Sequence, residues 1–319
     1  MTPSRWLREY RPGVLPGLRP TVRLPGMSAP ANTSTAPLSL PALQAWHACL
    51  AQAFGSVDDG TFLQHLATAL NALTPIESMM ISLERKGLPP QLLHERGIVG
   101  AYRDEIINRY FSRGYLLDPF CLAVENGLAE GFYHLSEIAP DDFFSSEYYK
   151  TYYLKTGGAE DSYYIVDLDP QSKISLCMFQ GLSGERFASE PLALLRAVEP
   201  LVRELIRRFG GSGLQPLLRL ASQDALPAPA PANFNQQIEA AFMSFGQPLL
   251  TVREREIAHL ILRGHSVKST AKVLEISPET VRMHRKNLYT KLTINSQAEL
   301  FALFIDWLTQ PPPTSQSPL

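Results

Sequence analysis

Cysteine is scarce in this sequence: there are three, Cys49, Cys121 and Cys177. Far apart and each in an apolar context, they do not make a disulfide framework or a cysteine zinc site. They read as buried free thiols in a reducing cytoplasm. Long apolar runs are absent as well. No stretch reaches the ~18–20 residues that crossing a bilayer takes, so no membrane partner is expected and the location is read as cytoplasmic. Neither sign of charge dominates. The net charge of −2 over 319 residues excludes nothing about nucleic acid, and charge has to be read segment by segment. Also missing are a nucleophile elbow, a Gly-rich phosphate loop and any metal-ligand spacing. An enzyme is therefore not expected, nor a cofactor, nor a metal. His259, His265 and His284 have no Cys, Asp or Glu at ligand spacing beside them and read as structural.

The first 40 residues hold seven prolines and five arginines (Arg5, Arg8, Arg11, Arg19, Arg23) against one acid, Glu9. They lack the uninterrupted apolar stretch of a secretory signal, and the prolines forbid one long helix. A disordered basic tail over 1–40 is expected, whether translation begins at Met1 or at Met27.

The length allows about two domains. Residues 42–210 read as the first. Leu43–Phe54 is helical, and a second helix starts near Asp59 and carries Phe62, Leu63, Leu66 and Leu70 on one side. Met79–Leu83 is a strand, closed by Gly87 and Pro89-Pro90. Tyr102–Phe111 is expected as a helix with Tyr102, Ile106 and Tyr110 on one face. Tyr163–Leu168 and Ile174–Phe179 flank a turn and make a hairpin. A helix from Pro191 to Phe209 stops at Gly210-Gly211-Ser212-Gly213. The fold class is α+β: a helix-flanked, mainly antiparallel sheet, a sensor-like sandwich, followed by an all-α four-helix domain. Residues 211–247, with Pro227, Pro229 and Pro231 alternating with alanine, are expected to be a linker ending in a short helix at 236–245. Residues 310–319 are expected to be a disordered tail.

Residues 248–309 carry the strongest signal. Thr251 caps a helix whose apolar side is Ile257, Leu260 and Ile261. Val267–Leu274 is a second short helix, and Glu275-Ile276 is a turn. Ser277 caps a third helix with Pro278 at its first position. From Pro278 to Leu292 there are four basic residues (Arg282, Arg285, Lys286, Lys291) and one acid, Glu279. Val281, Leu288 and Leu292 face inward, with Arg282, Met283 and Lys286 on the far side. A capped tight turn followed by an exposed basic helix face fits a major-groove reader of double-stranded DNA.

The string LTVREREIAHLILRGHSVKSTAKVLEISPETVRMHRKNLYTKL resembles the helix-turn-helix domain of LuxR-type bacterial regulators almost from end to end. The resemblance implies base contacts by Arg282, Met283 and Lys286, and backbone contacts by Thr280, His284, Lys291 and Lys268. It implies a dimer contact through the fourth helix, with Leu300, Phe301 and Phe304 partly exposed in a monomer. A homodimer on a two-fold operator is expected, with RNA polymerase as a further partner. This chain departs from the family at Val267, Ser269 and Thr270. Thr270 puts a hydroxyl where the family usually has a core aliphatic.

A receiver domain switched by aspartyl phosphorylation is not expected, because Asp58-Asp59 and Asp141-Asp142 do not follow strands in a βα series. Tyr102-x3-Ile106-x3-Tyr110-x4-Tyr115-x2-Asp118-Pro119 resembles the pocket region of autoinducer-binding domains. That resemblance implies a ligand pocket lined by Tyr102, Tyr110 and Asp118, and in the family such pockets hold acyl-homoserine lactones. Two departures argue against a lactone and for a different small molecule in a GAF/PAS-like sandwich. Ile106 stands where the family has the tryptophan that holds the lactone ring, and the Tyr115-to-Asp118 spacing is one residue short. Two alternatives stand beside sensing: dimerisation or docking to a protein, and catalysis, for which no motif speaks. The cluster Tyr148, Tyr149, Tyr152, Tyr153 reads either as a lid or as a packing seam.

Overall fold

The computed structural model describes residues 40–223 and 244–309, apart from 87, 105, 106, 108, 109, 113 and 157. The expected tails at 1–39 and 310–319, the alternating prolines and most of the expected helix at 236–245 lie outside the described residues.

Helices α1 (Leu40–Gly55) and α2 (Phe62–Leu73) pack against each other. Strand β1 (Ser78–Arg85) follows, then β2 (Gln91–Arg96). The chain next runs through a 3-10 turn at Gly100–Tyr102, and the described residues of the helix expected over 102–111 that follow it, 103, 104, 107, 110 and 111, are helical. Helix α3 (Pro119–Glu125) leads to β3 (Gly131–His134), and α4 (Glu147–Tyr152) to the hairpin β4 (Glu160–Asp169) and β5 (Ser172–Gln180). Helices α5 (Ser189–Ser212) and α6 (Leu214–Gln223) complete this half. The five strands pair antiparallel throughout in the order β2-β1-β5-β4-β3.

Strand alternation divides this sheet into two unlike faces. Met79, Ile81 and Leu83 of β1, Tyr164 and Val166 of β4, and Ile174, Leu176 and Met178 of β5 point into a core shared with α1, α2 and α5. Met80, Tyr163, Ile165 and Cys177, one residue out of phase, point into a second core. Buried Ser82, Ser175 and Asp161 share that phase, so the second face is part polar.

The glycines read as a helix stop have another purpose. Helix α5 continues through Gly210, where a Cβ would come within 2.5 Å of Leu168 Cδ2 on β4. A side chain there would have to push the Leu168 side chain aside. The chain then folds into α6, with Leu214 buried in the first core, so residues 214–223 are helix where a linker was expected.

The C-terminal half is four helices: α7 (Val252–Leu262), α8 (Val267–Val273), α9 (Pro278–Leu292) and α10 (Gln297–Thr309). Thr251 and Glu254 form a reciprocal capping box on α7. Ser266 and Ser277 cap α8 and α9. Between α8 and α9, Glu275 takes φ 54°, and the Ile276 N–H bonds the Ala271 carbonyl, closing the turn. Ile257, Leu260, Val281, Leu288, Leu300 and Phe304 form the core of these helices, and it is continuous with the second core of the sheet. Thr270 is fully buried, and its hydroxyl has no hydrogen-bond partner among the described residues.

A buried hydroxyl without a partner costs about 1–3 kcal/mol. Thr270→Val, which keeps the shape and removes the oxygen, is expected to raise the melting temperature by several degrees. Unchanged or lower stability would mean the hydroxyl is satisfied.

Candidate functional site

Helix α9 presents Arg282, Met283 and Lys286 to solvent, with Met283 52% exposed. Its inward residues Val281 and Leu288 anchor it to the core, so the basic side is fixed outward by packing on the opposite side. Arg282 pairs with Glu279 one turn back at 2.9 Å, and the Arg285 guanidinium lies 5.3 Å from the Tyr289 ring centroid. Arg282, Arg285, Lys286 and Tyr289 border an open concave surface beside the helix. Lys268 is exposed on the first turn of α8. Thr280 and His284 are half-buried, and the Thr280 N–H donates to the capping Ser277 hydroxyl.

Lys291 does a second job. Its Nζ lies 2.8 Å from the nearly buried Glu254 carboxylate, tying α9 to the capping box of α7. Burial works to raise the Glu254 carboxyl, but the hydrogen bonds from Lys291 and Thr251 outweigh it and hold the carboxyl below its ordinary value. His259 and His265 are pushed down by burial, His265 to about 4, so both are neutral at pH 7.

The expectation of partly exposed Leu300, Phe301 and Phe304 is corrected. All three are buried within the chain, because α10 packs on α7 and α4, and Phe245 and Trp307 lay their rings against Phe304. Among the described residues of α10, the exposed large apolar side chain is Leu303, at 39%.

The second candidate is a cavity on the part-polar face of the sheet, of about 40 Å³. Its walls include Met80 of β1, Tyr163 of β4, Phe179 of β5, Tyr110, Asp118, and Tyr148, Tyr152 and Tyr153 of the α4 segment. Of the three residues expected to line a pocket, Tyr110 and Asp118 meet here. Tyr102 does not, since the 3-10 turn leaves it 37% exposed and away from the walls.

Asp118 is buried as the N-cap of α3. Its Oδ1 accepts from the N–H groups of Phe120 at 2.7 Å and Cys121 at 3.3 Å, and its Oδ2 accepts from the Tyr110 hydroxyl at 2.7 Å. Burial raises its carboxyl above the ordinary value despite these bonds. Behind the wall lies a second buried acid, Asp161, which the sequence reading missed. Its Oδ2 accepts from the hydroxyls of Tyr153 at 2.8 Å and Tyr163 at 3.0 Å, while Oδ1 has no partner among the described residues. Burial, then the nearby charge of Asp118, pushes its carboxyl up to about 8. Glu84, on the same face of β1, is pushed up to about 7 by burial, with Asp118 and Glu125 adding to it. Glu77 differs. Its carboxylate accepts from the N–H groups of Gly181, Leu182 and Ser183, and these bonds outweigh burial and hold it below its ordinary value.

An acid whose pKa is raised by folding stabilises the fold fully below its unfolded value, and the contribution is lost as pH rises through the folded value. For Asp161 that window runs from 3.8 to about 8. Asp161→Asn, which resembles the protonated acid, is expected to make the melting temperature less pH-dependent across pH 4–8. Wild type and variant falling in parallel would remove Asp161 as a titrating group.

Known proteins agree on the C-terminal half and extend beyond it. The family model of bacterial regulatory proteins, luxR family, matches residues 248–304. An HTH-type transcriptional regulator from the exeN 3′ region of Aeromonas salmonicida is 35% identical over 197 residues, which is 61% of this chain and 96% of that protein. The transcriptional regulatory protein UhpA of Escherichia coli K12 is 42% identical over 60 residues, 19% of this chain and 31% of its own length. Among solved structures, the VqsR LBD domain from Pseudomonas aeruginosa is similar with a TM-score of 0.46 at 28% identity, over 52% of this chain and 96% of that one. The chain belongs to the luxR family of bacterial regulatory proteins and is a DNA-binding transcription regulator.

Proposed function

We propose that this regulator reads DNA with α9 and answers to a small molecule that enters the cavity beneath α4. The observation that carries this reading is the double use of residues 141–153. On one side Tyr148, Tyr152 and Tyr153 are cavity wall. On the other side the same segment seats the DNA-binding helices. The Asp141 carboxylate accepts from the Ser266 N–H at 3.0 Å and the Ser266 hydroxyl at 2.6 Å, at the start of α8. The Asp142 N–H donates to the Gly264 carbonyl at 3.0 Å. Gly264 sits so close that a Cβ there would come within 2.8 Å of Phe143 Cα. The Phe143 ring in turn contacts the rings of Tyr148, Tyr149 and Tyr153.

Packed aromatic rings therefore run from the cavity to the turn before α8. A ligand changes an equilibrium only by its differential affinity for two arrangements. One that needs more room than the present cavity has to displace the α4 tyrosines, and with them the seat of α8 and α10. In this reading Arg282, Met283 and Lys286 face bases, and Lys268, Thr280, His284 and Lys291 lie near phosphates, in a dimer on a two-fold site.

Lys286→Ala is expected to weaken binding to a specific operator and relax sequence choice. Lys268→Ala should weaken binding to all duplexes and flatten the salt dependence. Lys291→Ala should also lower stability, because it removes the ammonium paired with the buried Glu254 carboxylate. Mobility shifts across salt check all three, and variants that bind like wild type would move the reading face elsewhere. For the relay, a metabolite extract that raises the melting temperature of the full chain should also change its DNA affinity. In Asp141→Ala combined with Phe143→Ala it should still bind but change DNA affinity less. An undiminished effect would place the coupling outside residues 141–153.

A further inference from the structure

Resting on the reading of α9 as the helix that enters a DNA groove, the structure also bears on where the second strand runs. At the helical repeat, Arg282, Met283 and Lys286 share one face of α9. Thr280, His284 and Lys291, the side chains set near phosphates, lie on the flank beyond Met283. On that flank Lys291 reaches Glu254 of α7. Arg285 and Tyr289 lie on the opposite flank, beyond Arg282, which holds none of those three. A helix with its side chains is about 10–12 Å across, and a major groove is about 12 Å wide. A helix in that groove therefore has a phosphate strand against each flank.

The Arg285 flank has the shape and charge to receive one. It borders the open concave surface that α9 shares with Val267 at the start of α8 and Asn295 beyond its own end. The described lining of that surface has three cations, Arg282, Arg285 and Lys286, and no acid, so an anion is favoured there. Arg282 is answered by Glu279 and Lys291 by Glu254, but no acid pairs with Arg285 among the described residues. The Arg285 guanidinium lies over the Tyr289 ring instead, 5.3 Å from its centroid. An aromatic ring steadies a guanidinium and leaves its edge N–H groups free for two oxygens of a phosphate. The Tyr289 hydroxyl has no hydrogen-bond partner among the described residues, and Asn295 is exposed on the same surface.

We infer that a backbone phosphate of the second DNA strand lies in this concavity, held by Arg285 from its seat on Tyr289, with Asn295 as a further donor. Arg282 and Lys286 belong both to the base-reading face and to the concavity, so its occupant is continuous with the duplex in the groove. Arg285 is then a positioning contact. It fixes the depth and register of α9 between the strands and carries no base preference of its own.

The test uses the full chain and a fluorescent DNA duplex of random sequence, with affinity read by anisotropy across salt. Arg285→Ala is expected to keep the wild-type melting temperature and to weaken binding. The loss is roughly fivefold, and the slope of log affinity against log salt falls by about one per bound subunit. Arg285→Lys, which keeps the charge without the fork, should keep most of the slope and lose part of the affinity. Selection from a random duplex pool should return the same preferred sequence for Arg285→Ala as for wild type. If Arg285→Ala melts lower, Arg285→Gln, which keeps part of the stem over Tyr289, carries the comparison. A stable variant with wild-type affinity and slope would overturn the inference. So would a changed preferred sequence, which would make Arg285 a base reader. In either case, loss of binding by Lys268→Ala and Lys286→Ala leaves the reading of α9 standing. No salt-dependent binding of the wild-type chain to any duplex would overturn that reading as well.

Discussion

This β-sheet carries apolar side chains on both of its faces, and both must be kept from water. Here the flanking helices α1, α2 and α5 cover only one of them. The other is closed by α3, α4 and further described residues between Ile98 and Tyr153 outside β3 and, beyond them, by the DNA-binding helices, whose core is continuous with that layer. This covering arrangement explains why a short aromatic helix lies between the cavity and α10. It also explains why Gly264 and Ser266 meet Phe143 and Asp141 instead of solvent. Burying a Phe or Leu contributes about 1.5–3 kcal/mol, so the aromatic layer is a structural joint, and in the proposed reading it is also the path along which a change in the cavity would travel.

The exposed side and the buried side of the chain use charge in opposite ways. On α9 Arg282 and Lys286 stand in water, where charge is cheap to keep. Beside the inner face of the sheet, Asp118 lies close enough to Glu84 and Asp161 to raise their carboxyls beyond what burial does alone. A fold that needed only a packed core would be as well served by apolar residues there. This layer is also the part that contains the cavity.

Much of the C-terminal half was legible in the sequence because its signals are local. A Thr three residues before a Glu, a Ser before a Pro, and apolar residues at helical spacing each act within one or two turns. The caps at Thr251 and Ser277 are formed by these residues. The β4–β5 hairpin was readable for the same reason. Strands β2 and β3 were not. The half-buried Gln91–Arg96 lacks a clean apolar alternation, and Gly131–His134 has only four residues to show one. Asp161 was missed because the strand was read as starting at Tyr163, although it lies in phase with Tyr163 and Ile165. An acid in phase with buried residues was the signal available.

The sequence by itself determined the helix-turn-helix frame, the basic outward side of α9 and the α+β class, since periodicity, capping and charge balance are properties of neighbours along the chain. Only the tertiary structure decided that Tyr102 stays outside the cavity while Tyr110 and Asp118 meet, and that Leu300, Phe301 and Phe304 are covered. It also decided that Lys291 reaches Glu254, and that Asp141 holds Ser266 from 125 positions away. Those outcomes depend on which surfaces remain to be covered once the elements have formed, and that is settled by packing between distant segments.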